Sequence, residues 1–211
     1  MSVQLLKIRR IITGTLMTNT YILSSDRQCL IVDTGGEQHK VIEDITMNNL
    51  TPIGVVATHG HFDHFDGSVE IQEKYDVPFY VHRADYEMMN EQKAFTRQMA
   101  VPSDINFINK DTEFKIGDHV VRIMETPGHT MGSIILHSDG FILSGDTLFR
   151  LSVGRTDLGG NSESLVDSLR KIGSFKESTK IYPGHGDSTD LRFEILNNMF
   201  LKNALKKGSL Y

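Results

Sequence analysis

A single cysteine, Cys29, stands among 211 residues, so an internal disulfide is excluded. The thiol lies in the apolar run Cys29-Leu30-Ile31-Val32. There a buried, inert side chain is expected rather than a nucleophile or ligand. Such usage fits a reducing, cytoplasmic setting. No apolar stretch approaches the ~20 residues of a membrane span. Residues Met1 to Arg10 lack the apolar core and small-residue cleavage site of a signal peptide, so no leader is expected. Basic residues are not in excess either: 22 Lys and Arg face 27 Asp and Glu, a net charge of -5. That balance points away from nucleic acid and membrane, and leaves small molecules as partners. No linker or low-complexity segment divides the chain. One domain over residues 1–211 is expected, as a monomer or homodimer.

What the chain does have is histidine in one place. Thr58-His59-Gly60-His61-Phe62-Asp63-His64 packs three histidines and an aspartate into six residues. Imidazole is the commonest protein ligand for zinc-like ions, and a carboxylate completes such sites. The apolar run Ile53-Gly54-Val55-Val56-Ala57 comes just before and has strand length. The histidines thus fall in a loop leaving a buried strand, where α/β proteins place their chemistry.

In chain order, β-rich stretches at 3–12 and 18–25 lead through a turn to a strand at Cys29–Val32. Asp33-Thr34-Gly35-Gly36 reads first as a glycine turn ending that strand, with a part in the site floor as the alternative. Glu37 to Asn49 carries apolar residues at helical spacing, and Pro52 bars its continuation. A helix is expected at 67–75, a strand at 77–81 and a helix at 84–90. Glu91 to Ser103 is polar and irregular, an ordinary surface connection by default and otherwise a pocket cover. Short strands are expected on both sides of Asn109-Lys110-Asp111 and at 120–124. The Ser138-Asp139-Gly140 turn joins strands at 132–136 and 141–143. A helix starts at Ser162, a strand occupies 180–182, and 191–204 is mostly helical. This order suggests two similar halves meeting near residue 116, with helices covering two packed sheets.

Three more loops resemble the histidine cradle. Each leaves an apolar strand and delivers a ligand type directly after a glycine: Gly128-His129, Gly145-Asp146 and Gly184-His185. With His59, His61, Asp63 and His64 this makes seven candidate ligands. One tetrahedral ion needs fewer, so a pair of ions fits better, with Asp146 as the candidate bridge. Two ions about 3.5–4 Å apart can share a hydroxide and clamp an ester-like transition state. His39, His82, His119 and His137 lack such loops and are read as non-ligands.

Thr58–His64, Thr126-Pro127-Gly128-His129-Thr130, Ser144-Gly145-Asp146-Thr147-Leu148-Phe149 and Pro183-Gly184-His185-Gly186 resemble the metallo-β-lactamase superfamily. They look most like its glyoxalase II-like hydrolases. Asn19-Thr20-Tyr21 and Val32–Gly36 are similar to that family's opening, and Gly154-Arg155-Thr156-Asp157 to its short bacterial members. The resemblance implies an α/β, αββα sandwich of two mixed sheets flanked by helices. It implies two divalent ions, zinc first, with iron and manganese as alternatives. His59, His61 and His129 would hold one ion, Asp63, His64 and His185 the other, and Asp146 would bridge. A bridging hydroxide, oriented by Asp63, would attack a thioester such as S-lactoylglutathione.

Departures narrow the resemblance. Asp146 argues against β-lactam hydrolysis, and Phe149 stands where the lactonases of this fold carry tyrosine. The chain stops at Tyr211, without the helical region by which long glyoxalase II enzymes grip glutathione. For Arg155 two roles stay open, pairing with Asp157 or meeting a substrate carboxylate. A mononuclear iron persulfide dioxygenase of the same fold is the alternative activity.

Overall fold

In the computed structural model, residues 6–211 are described. Residues 3–5 of the first expected strand lie outside them. Six strands make the first sheet in chain order: β1 (Lys7–Thr13), β2 (Thr18–Ser25), β3 (Gln28–Val32), β4 (Thr51–Val56), β5 (Phe79–His82) and β6 (Ile105–Ile108). The first three meander antiparallel, and β3 to β6 run parallel. Helices α1 (Gln38–Met47), α2 (Ser68–Tyr75) and α3 (Tyr86–Gln92) belong to this half.

The second sheet contains β7 (Glu113–Ile116), β8 (His119–Glu125), β9 (Ile134–Ser138), β10 (Phe141–Gly145), β13 (Lys180–Pro183) and β14 (Thr189–Asp190). Their order is β14-β13-β10-β9-β8-β7. Only β10 and β13 are parallel neighbours. A two-stranded ribbon, β11 (Leu148–Phe149) with β12 (Ser152–Val153), follows β10. Helices α4 (Ser162–Gly173), α5 (Leu191–Asn197) and α6 (Met199–Lys207) complete this half. Both sheets are mixed, as expected.

Period-two alternation decides the layers. Leu30 and Val32 of β3, with Leu143 of β10 and Leu136 of β9, fill the core between the sheets. Their neighbours Cys29 and Ile31 face the other way, against Val41 and Ile45 of α1 and Ile71 of α2. Ile135 and Ile142 likewise turn toward Leu165, Leu169 and Ile172 of α4 and Leu201 of α6. The result is helix, sheet, sheet, helix.

Several details differ from the sequence reading. Pro52 lies inside β4, at a register shift beside Cys29, where a missing N–H is tolerated. The short strands around 109–111 belong to different sheets, so the crossing precedes residue 116. The helical stretch 191–204 breaks at Asn198, whose side chain accepts from the Phe200 and Leu201 amides and starts α6. Among the described residues no helix is long and apolar enough to cross a membrane.

Candidate metal centre

Every candidate ligand sits just past a strand end at one edge of the sandwich. His59 to His64 follow β4, His129 follows β8, Asp146 follows β10 and His185 follows β13. The two sheets are joined at this edge by backbone hydrogen bonds. The Asn19 amide donates to the Gly184 carbonyl at 2.7 Å and the Ile134 amide to Thr58 at 2.9 Å. Asn19 Nδ2 and the Tyr21 hydroxyl also donate to the Pro183 carbonyl, which pins the loop that carries His185.

All seven residues come together. His59 Nε2, His61 Nδ1 and His129 Nε2 form a triangle with sides of 3.1, 3.2 and 3.0 Å. Asp63 Oδ2, His64 Nε2 and His185 Nε2 form a second, with sides of 3.4, 3.3 and 3.2 Å. Asp146 lies between them. Its Oδ2 is 3.6 Å from both His129 Nε2 and His185 Nε2, and its Oδ1 is 3.5 Å from His64 Nε2. His39, His82, His119 and His137 join neither group. His82 instead accepts from the Ala84 amide, and His137 packs on Phe175.

The tautomers follow from the outer partners. A carbonyl only accepts, so His129 Nδ1 donates to Arg155 O at 2.7 Å and His61 Nε2 donates to Leu158 O at 3.1 Å. The Thr58 hydroxyl gives its proton to Asp33 Oδ2 at 2.9 Å and so accepts from His59 Nδ1 at 3.2 Å. Each neutral ring then turns a lone pair inward. Three lone pairs this close repel one another unless a cation sits among them. Tetrahedral zinc with Zn–N bonds of about 2.0–2.1 Å sets its ligands about 3.4 Å apart. The donor set fits such an ion with small adjustments.

Charge says the same of the second triangle. Burial disfavours a charged His64, yet Asp33, Asp63 and Asp146 outweigh it and lift the imidazole to about 10. Burial pushes Asp63 up as well, but His64, His185 and the Thr18 hydroxyl hold it well below the usual carboxylate range. His185 is raised, with the Asp63 bond and Asp146 outweighing its burial. His59 is driven the other way by burial, then by His64, His129 and His61, and His129 by burial. Among the described residues, none donates a hydrogen bond to the buried Asp146 Oδ1. A cage of carboxylates with one oxygen unpaired calls for a cation.

Three residues support the ligands; the sequence reading held one of them, Asp33, as an alternative and missed Thr18 and Asp85. Asp33 is no mere turn residue: it accepts from the Thr58 amide and hydroxyl, and its Oδ2 lies 2.9 Å from His64 Nδ1, close but poorly aligned. Its position at a strand end, like those of the ligands, was the signal for the alternative that it helps to form the site floor. Thr18 donates to Asp63 at 3.1 Å. Asp85 accepts from the Gly60 and Gly132 amides and the Thr130 hydroxyl, and nothing local in the sequence marks it. Arg155 forms a two-pronged bond with Asp157 at the surface. The stretch 91–103, expected to be irregular, begins with the last residues of α3 and is more than a surface crossing, since Glu91, Gln92 and Phe95 line a cleft beside His61.

Comparison with known proteins shows the family. The sequence matches the profile of the Metallo-beta-lactamase superfamily over residues 13–185. "Probable metallo-hydrolase YqgX" of Bacillus subtilis (strain 168) is 38% identical over 207 residues, covering 93% of this chain and 98% of its own. The solved BLEG-1 B3 metallo-beta-lactamase is 31% identical with a TM-score of 0.84, over 92% of this chain and 99% of that one. TTHA1623 in a di-iron-bound form is 28% identical with a TM-score of 0.83, over 91% and 99%. The chain belongs to the metallo-beta-lactamase superfamily.

Proposed function

We propose that the chain is a glyoxalase II-like thioesterase that cleaves S-lactoylglutathione or a related acyl-thiol. The observation that carries this reading is the Asp146 carboxylate, set within 3.6 Å of a nitrogen from each of two donor triangles. His59, His61 and His129 would hold one divalent ion, Asp63, His64 and His185 a second, and Asp146 would reach both. Zinc suits this donor set, and the di-iron form of TTHA1623 makes iron the first alternative. Two such ions supply an acidified water and a Lewis-acid hold on the carbonyl oxygen. Asp63, kept ionised, would accept a hydrogen bond from the attacking water and set its direction. That water's oxygen bonds to the acyl carbon, the C–S bond breaks, and a carboxylic acid and a thiol leave. No serine or cysteine nucleophile is required, consistent with a buried Cys29.

Metal analysis combined with a substrate panel tests the proposal. Two ions per chain with thioester cleavage are expected. A single iron with oxygen consumed on a persulfide would overturn it. So would efficient hydrolysis of β-lactams, which the name of BLEG-1 places in the panel, with thioesters left intact.

A further inference from the structure

A cleft of about 620 Å³ opens beside His61. Its apolar wall is made by Phe62, Met88, Phe95 and Leu158, and the Phe62 and Phe95 rings lie 5.9 Å apart. Among the described residues, the only Asp, Glu, Lys or Arg side chains lining it are those of Glu87 and Glu91. This wall is tied to the candidate metal centre at both ends. Gln92 accepts from the Phe62 amide at 3.1 Å, and the Leu158 carbonyl accepts from His61. Phe95 and Leu158 are 68% and 51% exposed, more apolar surface than solvent contact favours. Leu151 (48%) and Met17 (67%) are exposed apolar residues on two other loops. One follows Asp146, and the other leads into Thr18, which bonds Asp63.

Two of the nearby cations are engaged, while Lys93, between Gln92 and Phe95, is exposed and is not among the residues lining the cleft. Arg155 is held in two-pronged fashion by Asp157, and Arg97 lies 3.8 Å from Asp66. A ligand carboxylate entering the cleft would meet Glu87 and Glu91, and to gain Arg155 it would have to displace Asp157. Like charges across a cleft select against the wrong ligand as firmly as contacts select the right one.

We propose that this cleft receives the apolar, uncharged tail of the substrate, so that the chain prefers thioesters of neutral thiols to those of the anionic glutathione. The inference rests on the thioesterase reading and chooses among its acyl-thiols. With the thioester carbonyl at the metal centre, the uncharged chain of the thiol would lie against Met88 and Phe95, away from water.

The test separates binding from turnover. Two thioethers that cannot be hydrolysed, S-hexylglutathione and S-hexyl-N-acetylcysteamine, are titrated calorimetrically into the metal-loaded chain. The neutral thioether should bind roughly ten-fold more tightly, the scale of two partly exposed like-charge contacts. Glu87→Gln with Glu91→Gln should close most of that gap. Phe95→Ala should weaken the neutral ligand. Equal or tighter binding of S-hexylglutathione, or no binding of either, overturns the proposal. Hydrolysis of the matching hexanoyl thioesters is measured in parallel. A neutral-ligand preference with no hydrolysis removes the thioesterase reading and leaves the cleft's preference standing. Hydrolysis that favours the glutathione ester does the reverse.

Discussion

Asp85 occupies the space that a side chain at Gly132 would need: a Cβ there would lie 2.6 Å from the Asp85 carboxylate carbon. Gly60 faces the same residue, with its own Cβ position 2.8 Å from Asp85 Cβ. The two glycine loops come from different sheets and carry His59, His61 and His129. A buried carboxylate thus clasps them through the two glycine amides and the Thr130 hydroxyl. Asp85→Asn cannot accept at both ends. A stability loss of about 3 kcal/mol is expected, because buried donors are left unpaired. Urea unfolding of the metal-free chain reads this loss. Chelator competition should show the ion at His59, His61 and His129 weakened, and unchanged affinity would remove the clasp from the site.

The Asp33–Thr58–His59 chain of hydrogen bonds fixes a tautomer. Thr58→Val keeps the shape and removes the hydroxyl. Metal affinity should fall about 10–100-fold, as for other outer partners of metal-bound histidines. Thr58→Ser should restore it. If Val and Ser variants bind metal alike, the hydroxyl does not set the ring.

Asp146→Ala should abolish thioester cleavage and leave the fold in place, since Asp146 Oδ1 bonds to no donor among the described residues. Circular dichroism and turnover, measured on one preparation, check both halves of the statement. Near-normal turnover would refute the bridging role.

Burial raises the Cys29 thiol to about 12. Thiolate is the reactive form, so at pH 8 a disulfide reagent should react with native protein only as fast as it unfolds. In denaturant the same thiol should react within the mixing time. Fast labelling of the native chain would contradict its placement under α1.

Removing metal should lower the melting temperature, because an ion bound only by the folded chain stabilises it. The carboxylates of Asp33, Asp63 and Asp146 around His64 then lose their counter-charge. Calorimetry with and without a chelator reads the shift, and an unchanged midpoint would argue against bound metal.

Much of this was legible in the sequence, for a physical reason. The apolar run Cys29–Val32 was readable as a strand, and its alternation buries Leu30 and Val32 on one face and Cys29 and Ile31 on the other. His59 to His64 were legible because that ligand density has little structural explanation. Asp85 was not, since its partners lie 25 to 47 positions away and only folding brings them together. The break at Asn198 was missed because a helix-capping asparagine resembles any other polar position in a helix. Phe95 was hidden in a polar stretch, and its meaning came from the cleft it lines.

The central proposal is that the chain would cleave a thioester with two ions held by His59, His61, His129, Asp63, His64, His185 and Asp146. Its most direct test is the initial rate of thioester hydrolysis as metal-free chain is titrated with zinc. The account predicts a rate that rises to a plateau at two equivalents per chain. A plateau at one equivalent, or no hydrolysis at any loading, would contradict it.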